Sequence, residues 1–219
     1  MHGNFRTCEC SGSVNFPTVL FIDVHLSRIA VTYDPDTAHP SLVVSEDGKQ
    51  VSFCERNRNV PNQPSRFSDA LNVLAKEGFS SGKFYYEVQV KGKTQWDLGV
   101  SYESINREGR LKLTPRNGFW TMWLRNGQFT ANAGPAVRVP VRNKPEKIGV
   151  FVDYDKGLVS FYNVEARARI YTFDQCKFTK KIVPFFCPCA SDGGITFMRL
   201  CDMCVGSLVI LTALQVRRV

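Results

Sequence analysis

Histidine is scarce in this chain of 219 residues, and its three copies, His2, His25 and His39, all precede Pro40. No Gly-x-Ser-x-Gly elbow is present, and no cysteine has an evident histidine partner, so the usual arrangements for nucleophilic catalysis are missing. A glycine-rich phosphate loop is also absent. Asp153 and Asp155 form a carboxylate pair, but their Asp-Tyr-Asp-Lys-Gly setting reads as hairpin-turn chemistry. Long apolar runs are lacking too. Residues 14–24 are apolar yet carry Pro17 and Asp23, have no basic residue ahead of them beyond Arg6, and lack a small-residue cleavage site, so they make no convincing signal peptide. Residues 205–214 are about half the length needed to span a bilayer. These absences point away from an enzyme and from membrane insertion. There is no internal repeat and no low-complexity tract.

Aromatic residues, by contrast, are plentiful: 16 Phe, 7 Tyr and 3 Trp. Aromatic and β-branched side chains fit a half-buried pleated surface, whereas helix-period patterns are few. The chain reads as all-β. Strands are expected at 42–44, 50–53, 84–90, 96–101, 118–124, 129–131, 148–154, 158–163, 168–173, 182–186 and 195–200. Turn chemistry separates them: Asp47-Gly48 closes one hairpin and Asn126-Gly127 another, each supplying the positive φ that a tight hairpin needs. Residues 55–70, polar and holding Pro61 and Pro64, read as a loop. Short alternating strands at this spacing predict an antiparallel sandwich or barrel. Residues 1–28 have no clear period and read as a leader with disorder in it. The last seven residues form a short basic tail.

The formal net charge is +8, which raises nucleic acid as a partner. The basic residues are spread out, however, and do not interleave with aromatics in a stacking pattern. A solvated surface is the favoured reading and nucleic acid is disfavoured. Eight cysteines are present: Cys8, Cys10, Cys54, Cys176, Cys187, Cys189, Cys201 and Cys204. Disulfide frameworks belong to short secreted chains with weak cores, so reduced thiols and a cytoplasmic location are expected. Cys187, Cys189, Cys201 and Cys204 form the alternative, a zinc site, because Cys-x-x-Cys is a zinc-knuckle spacing. The first pair lacks that spacer and encloses Pro188, and both pairs lie on or beside strands. The expectation is therefore no metal and no cofactor.

Several motifs in order resemble the PRY-SPRY family. Residues 34–42 (DPDTAHPSL) and 45–51 (SEDGKQV) look like its PRY segment. Residues 82–88 (GKFYYEV), 96–100 (WDLGV), 118–124 (GFWTMWL), 148–163 (IGVFVDYDKGLVSFYN) and 184–186 (PFF) look like its SPRY strands. Tyr86 stands where the family often has Trp. The resemblance covers residues 29–212, divided as PRY 29–80 and SPRY 81–212. It implies a bent antiparallel β-sandwich of the concanavalin-like kind with the PRY strands packed on it. Trp120, Phe151, Phe161 and Phe185 are its candidate core anchors, and Gly99 and Gly149 lie inside strands where the facing sheet would come close.

The resemblance also implies function. Such domains recognise a protein partner through loops at one end of the sandwich, in tripartite-motif ubiquitin ligases, butyrophilin-like receptors and inflammasome-type sensors. No Cys/His array of RING or B-box spacing and no heptad repeat is found here. Carried over by position, the candidate binding residues are Trp96, Asp97, Trp123 and Arg125, with Cys189, Ala190, Ser191 and Asp192 in the loop after 184–186. A family position that can hold an aromatic is Ala190 here, which argues against a borrowed ligand such as antibody Fc. Trp120 and Trp123 are three apart and so face opposite ways on a strand; whether Trp123 is core or outward stays open. Three functions are carried forward: a protein-recognition module, part of a RING-type ligase completed elsewhere, and a binder of nucleic acid or phosphate.

Overall fold

A computed structural model describes residues 30–190 and 197–201. The leader before residue 30, the tail beyond 201, and Ser191 and Asp192 lie outside the described residues. The early strands are β1 (Leu42–Val44), β2 (Gln50–Phe53), β3 (Val73–Leu74), β4 (Lys83–Gln89) and β5 (Trp96–Tyr102). After a single turn of 3-10 helix at Pro115–Asn117 come β6 (Phe119–Arg125), β7 (Gln128–Ala131), β8 (Val137–Val139) and β9 (Lys147–Asp153). The last are β10 (Leu158–Asn163), β11 (Ala168–Phe173), β12 (Ile182–Cys187) and β13 (Phe197–Cys201).

All pairings between these strands are antiparallel. They make two sheets, one of seven strands in the order β1-β2-β13-β4-β9-β10-β11 and one of six in the order β3-β12-β5-β6-β7-β8. Strands from the first fifty residues described thus sit in both sheets, β1 and β2 beside β13, and β3 beside β12. The fold is the all-β antiparallel sandwich expected. Two strands were not foreseen, β3 and β8. Both are short outer strands, of two and three residues, and owe their conformation to the neighbour they pair with.

Strand alternation sorts each side chain to a face. On β5 and β6, Trp96, Leu98, Val100, Trp120, Met122 and Leu124 point inward and join the main core with Tyr86, Phe161 and Phe186. A second, smaller core lies on the opposite face of the six-stranded sheet, where Phe67, Leu74, Phe119, Val183 and Phe185 meet Ile105, Leu111 and Leu113 from the β5–β6 connection. Of the expected anchors, Trp120 and Phe161 belong to the main core and Phe185 to the second; Phe151 is buried outside both.

The strand glycines do different work from that expected. A Cβ on Gly99 would sit 2.2 Å from the Trp120 carbonyl oxygen, with φ at +149°. Its smallness therefore admits the neighbouring strand of the same sheet, not the facing sheet. At Gly149 the close atom is the Tyr85 hydroxyl, again from an adjacent strand. The foreseen turns are in place: Gly48 has φ +65°, and Asn126 and Gly127 are both positive at 49° and 72°, as a primed hairpin turn requires. Asp153 accepts the Lys156 amide within its own turn at 3.0 Å, whereas Asp155 accepts the Gly82 amide at 3.1 Å and ties that turn to the β3–β4 connection. His39 bridges loops, its Nδ1 accepting the Ser41 amide at 3.0 Å and its Nε2 lying 3.1 Å from the Ser68 carbonyl.

Candidate binding site

The outer face of the six-stranded sheet divides into two halves. Over one half, the β5–β6 connection and the segment around Phe67 form the second core. On the other half, register aligns Cys187 of β12, Asp97 of β5, Trp123 of β6, Thr130 of β7 and Arg138 of β8 in one row across the strands. No apolar cluster of the described residues covers this row. Asp97, Trp123 and Arg125 are brought together here, as their candidacy supposed, but on a sheet face and not on loops.

Trp123 is half-buried. Its indole Nε1 donates to Asn132 Oδ1 at 3.1 Å, and the Asn132 amide donates in turn to Thr121 Oγ1 at 2.9 Å. The ring faces the Arg125 guanidinium, 5.9 Å from the ring centroid. Trp120, by contrast, is buried in the main core, so the opposition of the two tryptophans places Trp123 outward.

Arg125 is anchored at three acceptors. Its Nη1 donates to the carbonyls of Trp96 and Leu124, each at 2.7 Å, and its Nη2 to Asp97 Oδ2 at 2.5 Å. The guanidinium is thereby held over the indole ring. Asp97 is 7% exposed. Burial pushes its carboxyl up from the ordinary carboxylate range, and the charge and hydrogen bond of Arg125 oppose that rise without cancelling it. Arg125 itself is held above its usual value: burial works against it, and the Asp97 charge prevails.

Trp96 departs from its expected role. At 0% exposure, edge-on to Phe129 at 5.9 Å, it is part of the main core. The reason is alternation: Trp96 shares the inward face with Leu98 and Val100, so only its carbonyl, bound by Arg125, reaches the patch. Ala190 is exposed, and Cys189 is buried just before it.

The tetrathiol zinc site is not assembled. Cys187 ends β12 in the six-stranded sheet, whereas Cys201 lies on β13 in the seven-stranded sheet opposite Glu87; Cys204 lies outside the described residues. The group that does gather is Asp97, Cys187 and Cys189, with ligand atoms within 4.8 Å of one another. Sequence reasoning missed this trio. Register alone brings Asp97 to Cys187, and the 90-residue separation in sequence hides it.

Residues 31–79 match the SPRY-associated domain and residues 83–199 the SPRY domain, so the chain belongs to the PRY-SPRY family. SPRY domains are binding modules that take protein partners. Nuclear factor 7, ovary, of Xenopus laevis is 44% identical over 162 residues, which are 74% of this chain and 26% of that protein. E3 ubiquitin-protein ligase TRIM21 of Mus musculus is 42% identical over 159 residues, 72% of this chain and 34% of that protein. The chain therefore spans about a quarter to a third of these relatives. The TRIM65 PSpry domain has a similar fold, with a TM-score of 0.69 and 24% identity, covering 80% of this chain and 90% of that one. Among the described residues, no helix is long and apolar enough to cross a membrane.

Proposed function

We propose that the open half of the six-stranded sheet's outer face docks a protein partner, with Trp123 as the anchor and the Asp97–Arg125 pair and Ala190 beside it. The observation that carries this reading is the bracing of Trp123. A half-buried indole is held by Asn132 on its polar edge and by a triply bonded Arg125 on its face. Interface energy concentrates in Trp, Tyr and Arg side chains, and anchors already held in one geometry lose less entropy on binding. Affinity capture with the wild-type protein and with Trp123→Ala and Asp97→Ala tests the site. Partners recovered by the wild type should be depleted from both variants, and equal recovery by all three would overturn the assignment.

The wider role we propose is innate-immune or ubiquitin-related regulation in the cytoplasm, with Ser191 and Asp192, next to Ala190 in the chain, as further candidate contacts. A second reading, the recognition end of a RING-type ubiquitin ligase, draws support from the name of the mouse relative TRIM21 and from this chain matching only 34% of its length. A Cys/His array encoded upstream in the same reading frame would favour it. Binding that weakens steeply with salt would instead favour phosphate contacts drawing on the +8 charge.

A further inference from the structure

We propose that Cys187 and Cys189 form a redox-modifiable dithiol, closed to an intramolecular disulfide by a peroxide, at the edge of the Trp123 patch. The sulfurs are 3.5 Å apart, and a disulfide requires about 2.05 Å. Closure therefore needs an approach of only about 1.5 Å between two residues of one short segment. The backbone supplies that geometry. β12 ends at Cys187, Pro188 fixes the next φ, and Cys189 takes a left-handed φ of +58°. That conformation is unfavourable for a non-glycine residue. It folds the second thiol back over the first, where Cys189 Sγ also lies 3.8 Å from the Cys187 carbonyl.

The surrounding charges assign the roles. Hydrogen bonding from Cys187 lowers Cys189 first; burial and the Asp97 charge oppose this, and Arg125 and Lys93 reinforce it. Cys187 is pushed up, by the same hydrogen bond, by burial and by Asp97. Cys189 is thus the attacking thiolate and Cys187 the resolving thiol. The thiolate of Cys189 displaces an alkoxide or hydroxide from the peroxide O–O bond and becomes a sulfenic acid. Cys187 then attacks that sulfur, the S–S bond forms, and water leaves. Overall, two thiols lose two electrons and two protons to one peroxide.

The same trio with Asp97 suggests a metal ion, but Arg125 argues against it. Its guanidinium is bonded to the carboxylate that would ligate, and a cation would meet that positive charge at close range. A thiolate is favoured by it. The modification does not depend on the patch binding a partner.

One tryptic peptide, residues 182–199, contains both cysteines and no other. Full-length reduced protein is titrated with hydrogen peroxide, alkylated and digested. The expected result is a peptide lighter by two hydrogens, with both thiols protected together and restored by dithiothreitol, formed about tenfold faster than oxidation at Cys54. Cys187→Ser should leave a sulfenic acid at Cys189 that dimedone traps, and Arg125→Gln should slow the reaction. The proposal is overturned if both thiols stay alkylatable once Cys54 has oxidised, or if either pairs with Cys201. It is overturned equally by stoichiometric zinc that shields both thiols until chelated.

Discussion

The outer face of the six-stranded sheet is one surface built from the same strands and put to two uses. Toward β3, residues Phe119, Val183 and Phe185 point outward from β6 and β12 yet are buried, because the β5–β6 connection and Phe67 close over them. A few residues along those same strands, Asp97, Trp123 and Arg125 also point outward, and among the described residues no apolar cluster closes over them. One half is apolar and filled by edge-to-face rings: Phe185 lies 5.5 Å from Phe119 and 6.2 Å from Phe67. The other half satisfies its polar groups laterally, through Asn132, Thr121 and the Arg125–Asp97 pair. Outward direction on a strand therefore does not decide exposure. What decides it is whether a loop has been folded over that stretch.

Truncation separates the halves most sharply. Phe185→Ala should cost about 3–5 kcal/mol, the usual penalty for emptying a buried aromatic site, read from urea unfolding. A loss below about 1 kcal/mol would mean that the connection does not seal the covered half. Gly99→Ala, at the seam between halves, should cost about 3 kcal/mol, because its Cβ meets the β6 backbone and its φ is unsuited to alanine.

On the open half the balance reverses. Trp123→Ala should change stability by about 1 kcal/mol or less while weakening partner binding by about 2 kcal/mol or more, measured by titration calorimetry against a captured partner. Equal losses in both assays would make Trp123 a core residue like Phe185.

The smallest effect is electrostatic and has a defined sign. Burial raises the Asp97 carboxyl above its ordinary value of about 3.9, so the folded protein binds that proton more tightly than the unfolded chain. This contribution to stability is complete below the ordinary value and is lost as pH rises through the raised one. Asp97→Asn removes the loss. The variant's urea midpoint, relative to wild type, should therefore climb as pH rises above about 4. A relative midpoint that falls over that range would mean that Arg125 holds the carboxylate down.

Much of this was legible in the sequence. Eleven strands were placed within a few residues of their observed bounds, since alternation and turn chemistry are local properties written in neighbouring residues. The hairpins at Gly48 and at Asn126-Gly127 follow from positive φ at those positions. Part of the candidate grouping was legible as well: Asp97, Trp123 and Arg125 do come together. Trp96 did not fit, although it adjoins Asp97, because adjacent strand residues face opposite ways and the sequence does not say which face is the core.

What the sequence determined by itself is the list of strands, the turns between them and the opposition of Trp120 to Trp123, because each rests on interactions a few residues long. Tertiary structure decided the rest. It formed β3 and β8 from segments too short to be strands alone, and it covered Phe185 while leaving Trp123 at the surface. It also set Asp97 beside Cys187 across two strands, and Cys201 in the other sheet. Those outcomes depend on strand pairing and loop coverage between residues far apart in the chain, and no local pattern encodes them.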